Sequence, residues 1–211
     1  MTPFPARALF AALLAAAAAG CGSAAPGAAQ SAPAPTGAVR DPYTAADVHF
    51  MSAMIGHHAQ AIEMSRLAPT HGASPSVLTL AARIINAQED EIATMQQWLR
   101  DRGQPVPEAR SAGAHMMMHG VEHEMPGMLT EAQLRQLDQA RGAEFDRLFL
   151  TFMIQHHRGA VVMVTELFSA WGAGQDELVF KFASDVNVDQ TTEIARMQRM
   201  LADLVFGSPS P

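Results

Sequence analysis

One pattern occurs twice in this chain, and it limits the possible folds more than any other feature. The segment MIGHHAQAIEM, Met54 to Met64, returns about a hundred residues later as MIQHHRGAVVM, Met153 to Met163. The match extends well past the doubled histidine. Asp47, Phe50, Met54, Ile55, His57, His58, Ala61 and Met64 recur as Asp146, Phe149, Met153, Ile154, His156, His157, Ala160 and Met163. A second pair of segments follows the same rule. QEDEIATMQQWL and DQTTEIARMQRML align Gln88, Glu91, Ile92, Met95, Gln96 and Leu99 with Gln190, Glu193, Ile194, Met197, Gln198 and Leu201. The matched apolar residues fall at helical spacing in every copy. Two like helical hairpins most simply pair about a pseudo-twofold axis, so the pattern predicts an all-α four-helix bundle made of two repeated hairpins.

Helix signals set the boundaries. Thr44 with Asp47 three residues on predicts a capped start for a helix that runs to about Ala68, with Gly72 beyond. Ser74-Pro75 opens a second helix that ends near Arg102, before Gly103 and Pro105. Thr130 with Gln133 forms another capping box, and a long helical stretch runs from it to about Trp171 with a break near Gly142. The last helix is expected from about Asp176 to Phe206, closed by Gly207 and Pro209. No alternating β-type run stands out. The bundle domain is therefore 43–206, with a His/Met-rich loop at 111–129 and a tail at 207–211.

The first 42 residues read differently. Arg7 precedes the apolar run LFAALLAAAAAG, which stops at small residues directly before Cys21, the chain's single cysteine. A short apolar run behind one positive charge is a secretory signal, too short and too Ala-rich for a membrane span. Ala18-Ala19-Gly20-Cys21 resembles a bacterial lipoprotein cleavage site, departing from it by Ala rather than Leu three residues before the cysteine. That implies removal of 1–20 and lipidation of Cys21; the alternative is an ordinary signal peptide cut nearby, leaving a free thiol. The 21–42 segment is rich in Ala, Pro, Gly and Ser and has too little apolar surface to offset the cost of ordering, so it reads as a tether. The expected location is an exported lipoprotein on a membrane, facing the periplasm or extracellular space. A formal net charge of −7 repels phosphate backbones and argues against nucleic acid as a partner.

The spacing of the repeat also places its histidines. Phe50, Met54, His57, Ala61, Met64 and Ala68 step by four, three, four, three and four residues, an inward seam. Phe149, Met153, His156, Ala160, Met163 and Leu167 repeat those steps. A neighbouring stripe carries Met51, Ile55, His58 and Ile62, matched by Leu150, Ile154, His157 and Val161. His57 and His156 therefore rank ahead of His58 and His157 as metal ligands, because their stripe holds the thioethers Met54, Met64, Met153 and Met163. Antiparallel pairing sets His57 level with Gln88 and Met54 near Glu91, and in the other half His156 level with Gln190 and Met153 near Glu193. The plainer reading stays open beside this one: histidines bonded to glutamines as core structure, methionines as adaptable filler, and Glu91 and Glu193 as solvated flank charges.

The loop HMMMHGVEHEMPGM supplies a second candidate site, with His115, His119 and His123 four apart among methionines that include Met125 and Met128. Wound as a helical turn it aligns three imidazoles; left irregular it still crowds them with sulfur. Thioether with imidazole favours Cu(I), and imidazole alone also suits Cu(II), zinc or nickel. The alternative is a flexible loop with incidental affinity.

MIGHHAQAIEM, MPGMLT (Met125 to Thr130) and FDRLFLTFMIQHHRGAVVM (Phe145 to Met163) together resemble the bacterial family known as domain of unknown function 305. The likeness covers nearly everything from Tyr43 to Phe206. It implies a ferritin-like four-helix bundle, and some secreted members of that family are implicated in copper binding and resistance. The leading expectation is thus a lipid-anchored copper-binding protein for sequestration, handling or resistance, holding Cu(I) in preference to Cu(II), without turnover and with an unidentified protein partner for transfer. One rival is a ferritin-like metal-dependent oxidoreductase. Di-iron bundles use Glu-x-x-His on their helices, and the chain contains no such segment. The other rival is a metal-free interaction domain in which the His pairs lock the hairpins together.

Overall fold

The structure is a computed structural model that describes residues 42–111, 115–118 and 121–207, with side chains described outside 112–124. Cys21, the 1–20 segment and nearly all of the tether lie outside the described residues, as does His119.

The expected caps form. Helix α1, Ala45–Leu67, starts at a capping box in which Thr44 and Asp47 satisfy each other's backbone amides, and a short 3-10 turn, Ala68–Thr70, closes it. Helix α2, Pro75–Asp101, opens on its proline. Helix α3, Glu131–Gln139, begins at the Thr130–Gln133 box. Two residues of extended backbone, Ala140 and Arg141, separate it from α4, Gly142–Ser169. In α5, Glu177–Phe206, Asp176 caps the first turn by accepting from the amides of Leu178 and Val179.

α1 packs on α2, α4 packs on α5, and α1 meets α4 across the middle. This is the four-helix bundle of two hairpins that the repeat predicts. The core divides into two clusters. One joins the N-terminal half of α1 to the C-terminal halves of α2 and α4, through Phe50, Met54, Trp98, Met163 and Leu167. The other joins the C-terminal half of α1 to the N-terminal halves of α2 and α4, through Met64, Leu80, Phe149 and Met153. α1 and α4 are therefore antiparallel. α2 ends where α1 begins, and Gln104 there donates to the Tyr43 hydroxyl. α4 starts where α1 ends, and its first amide, Gly142, donates to the His71 carbonyl at 2.8 Å. The connection from α2 to α4 must travel the length of the bundle, about 35 Å for a helix of 23 residues. That is why it is long.

The two hairpins also clasp each other's turns. Asp47 on α1 accepts the amide of Gly174, in the α4–α5 turn, at 2.7 Å. Its repeat mate Asp146 on α4 accepts the amide of Ser74, before α2, at 3.2 Å on both oxygens. Both aspartates are buried.

One expectation needs correction. The segment from His115 is neither helical nor irregular but a two-stranded antiparallel ribbon, β1 (His115–Met118) and β2 (Val121–Glu124), with Met116 opposite His123 and His115 opposite Glu124. The helical alignment of three imidazoles does not occur. The strands were hard to foresee because they are short and lack the β-branched, alternating composition that marks a strand.

Candidate metal centre

Successive residues of a helix point about 100° apart, so each His-His pair faces two directions at once. His57 and His156 turn toward each other where α1 crosses α4, with ring centroids 3.8 Å apart and planes inclined by 38°. His58 and His157 turn toward the partner helix of their own hairpin. His58 Nε2 lies 2.6 Å from Glu91 Oε2, a close approach that is off line for a hydrogen bond. His157 Nε2 makes the equivalent contact with Glu193 Oε2, at 2.8 Å and in hydrogen-bond geometry. All four imidazoles are fully buried.

Backbone carbonyls set the tautomer of the central pair. His57 Nε2 donates to the Pro126 carbonyl and His156 Nε2 to the His57 carbonyl, both at 3.0 Å. The proton therefore sits on Nε2, and Nδ1 carries the lone pair. Burial first, then the neighbouring His58, lowers His57 from an ordinary 6.5 to about 3, against the pull of the Pro126 carbonyl. Burial and then His57, His157 and His58 push His156 well below the ordinary range. Both rings are neutral in ordinary conditions, the form in which imidazole binds a metal.

Nδ1 has no hydrogen-bond partner in any of the four histidines. An unsatisfied buried polar atom costs about 1–3 kcal/mol. Four of them approach the net stability of a whole domain, about 5–15 kcal/mol. A ligand that takes up the Nδ1 lone pairs of His57 and His156 would remove their share of the penalty, so these donors fit a metal ion. Soft donors stand on either side. Met54 and Met163, with Met125 and Met128, belong to one flanking cluster, and Met64 and Met153 to the other. All six are buried. Among the described residues no three His, Cys, Asp or Glu side chains converge to enclose an ion by themselves. Imidazole and thioether are donors for a soft ion of low coordination number, and carboxylates for a bridged pair.

The structure sorts the residues singled out from sequence. His57, His58, His156 and His157 form one buried layer. Glu91 and Glu193 are not free flank charges; with side chains only 20% and 19% exposed, they approach His58 and His157. Met125 and Met128 belong to the bundle core rather than to a separate loop site. His115 and His123 lie on the ribbon, at positions whose side chains are outside the described set.

Sequence reasoning missed what docks Met125 and Met128. Gln60 grips Leu129 at two points, accepting its amide at 2.7 Å and donating to its carbonyl at 3.1 Å. Gln155 donates more loosely to the Gly127 and Met128 carbonyls. Gly159 lets the loop touch α4, because a Cβ there would sit 2.0 Å from the Pro126 oxygen. The signal was present in the repeat's mismatches. Gln60 stands where the second half has Gly159, and Gln155 where the first half has Gly56. The asymmetric residues are those that hold the one loop lying across a symmetric bundle.

A DUF305 fragment from Deinococcus radiodurans is 30% identical, with a TM-score of 0.64 over 77% of this chain and 99% of that one. A DUF305 protein from Streptomyces coelicolor is 29% identical, with a TM-score of 0.64 over 75% and 93%. CopM in its Cu(II)-bound form is 29% identical, with a TM-score of 0.58 over 74% and 96%, and CopM is also known in Cu(I)-bound and silver-bound forms. No curated protein matches. The model of the family described as domain of unknown function DUF305 matches residues 47–201, and this chain belongs to that family.

Proposed function

We propose that this protein is an exported copper-binding protein that sequesters or hands on Cu(I) at the layer formed by His57, His58, His156 and His157. The observation that carries the reading is the set of four buried, unpartnered Nδ1 atoms between two methionine-bearing clusters. Neutral imidazole with thioether is the donor chemistry of cuprous copper. In this reading His57 and His156 are the principal ligands, and Met54, Met64, Met153, Met163, Met125 and Met128 are the thioethers within the same core. His115, His119 and His123 on the intervening segment are weaker capture ligands. The copper- and silver-bound forms of CopM support a soft cation. Copper is cargo here, and the protein performs no turnover. Lipidated Cys21 holds the domain at a membrane, and the description of the Streptomyces relative as a secreted protein supports export.

The test is a competition titration of the reduced protein with Cu(I), beside Cu(II), Zn(II) and Fe(II). Wild type should bind Cu(I) most tightly, and His57→Ala with His156→Ala should weaken it at least a hundredfold while the helical signal stays intact. Cu(I) affinity and stoichiometry unchanged in that folded double variant would leave the histidine layer as packing alone.

A further inference from the structure

The turn between α4 and α5 carries an apolar surface that the bundle leaves uncovered. Trp171, in the turn, is 99% exposed. Phe168 in the last turn of α4, with Leu178 and Phe180 at the start of α5, is also exposed. Phe168 and Phe180 meet across the hairpin, with ring centroids 5.7 Å apart. Apolar residues scattered singly over a surface are ordinary; four grouped around one turn, with a tryptophan among them, are not.

The backbone beneath these side chains is held firmly. Gly174 donates its amide to Asp47, and Asp176, besides capping α5, accepts the Trp98 indole N–H at 3.1 Å. The turn also lies against the start of α1, since a Cβ at Gly172 would stand 3.7 Å from Thr44 Cγ2. Trp171 is thus presented outward at the end of the bundle where the chain from Cys21 enters α1.

The repeat supplies a contrast. The turn of the first hairpin, at the opposite end, matches this one at Gly72 and Gly172, both with positive φ, 68° and 76°. Yet Pro69 and Ser76 stand where the second half has Phe168 and Leu178. His71, just before Gly72, is buried and donates to the Asp138 carbonyl near the end of α3. The chain covers its first turn and bares the aromatic one beside its point of entry.

We propose that the α4–α5 turn docks on the lipid bilayer to which the chain is anchored, with Trp171, Phe168, Leu178 and Phe180 entering between the headgroups. Tryptophan suits that depth, since its ring is apolar and its N–H finds a polar partner at the interface. A lipid on Cys21 joins the bundle at this end through 21–42 and so keeps the turn at high local concentration beside the bilayer. The inference rests on the proposed anchor for that proximity alone. Leu204, Val205 and Phe206 are exposed too, but at the opposite end, about 35 Å away for a bundle of α1's length. With a net charge of −7 the protein gains nothing from anionic headgroups, so apolar insertion carries the contact. Four side chains orient the domain without holding it there, and the lipid does the holding.

The test imposes the anchor chemically. Cys21 is the single cysteine, so the mature chain is coupled through it to maleimide-bearing phosphatidylcholine vesicles, whatever the cell does to that residue. Of the two tryptophans, Trp98 is buried in the core and serves as the internal reference. The Trp171 emission should shift to the blue and fall at least twofold when the acyl chains carry bromine. Trp171→Phe should abolish the quenchable component, and Leu178→Ser with Phe180→Ser, with the helical signal intact, should weaken quenching at least twofold. Emission indifferent to brominated lipid would overturn the proposal. So would a blue shift already present without vesicles, whether fixed, with 21–42 covering the turn, or growing with protein concentration, with a second copy covering it. Natural lipidation is decided separately, by the fractionation of Cys21→Ser.

Discussion

A neutral histidine buried between helices loses something as the solution turns acidic, and His57 shows how much. In the unfolded chain its imidazole takes a proton near pH 6.5; in the fold it resists until about 3. Between those values the unfolded state binds the extra proton, so stability is complete above 6.5 and declines as pH falls, by about 1.4 kcal/mol per unit from this residue. His156 acts in the same direction. The metal-free protein should therefore lose about 2 kcal/mol or more between pH 6.5 and 5 in urea unfolding. A level stability across that range would mean that the central imidazoles are not buried as neutral groups. The same protons leave Nδ1 unoccupied at neutral pH, so a cation meets a lone pair that needs no deprotonation.

At the scale of elements, Gly159 is the informative position. A glycine inside a helix costs about 1 kcal/mol relative to alanine. Here it admits the Pro126–Gly127 backbone, which would otherwise meet a Cβ at 2.0 Å. Gly159→Ala should cost roughly 2–4 kcal/mol in urea unfolding, the opposite of its intrinsic helix preference, because the loop must withdraw and His57 loses the Pro126 carbonyl. A stabilised variant would show that the loop does not lie on α4. Much of this element was legible beforehand. The seam steps of four and three placed Phe50, Met54, His57 and Met64 on one inward face, and the Thr44–Asp47 and Thr130–Gln133 boxes marked two helix starts. What could not be read was rotation about each helix axis and the path of the crossover. Glu91 approaches His58, and Met125 joins the core, because a hairpin turn sets stripe alignment only to within a few residues. Loop docking depends on tertiary fit that spacing does not encode.

Across the whole molecule, the proposed attachment and the integrity of the bundle have separate causes. No described helix is long and apolar enough to cross a membrane, and the proposed anchor is the lipid on Cys21, with 21–42 as the proposed tether. Cys21→Ser should move the protein from the membrane fraction to the soluble one, or stall its processing; unchanged fractionation and processing would remove the anchor from the account. Integrity rests on the exchange of aspartates between hairpins, with Asp47 holding the turn at Gly174 and Asp146 the start of α2 at Ser74. A mutation at either aspartate injures the opposite half of the gene product. After a duplication two copies normally drift apart, each free to change while the other keeps the original role. Here neither copy is a spare: each hairpin's turn is held by the other's aspartate, so the freedom to drift seen at Gln60 and Gly159 does not extend to Asp47 and Asp146.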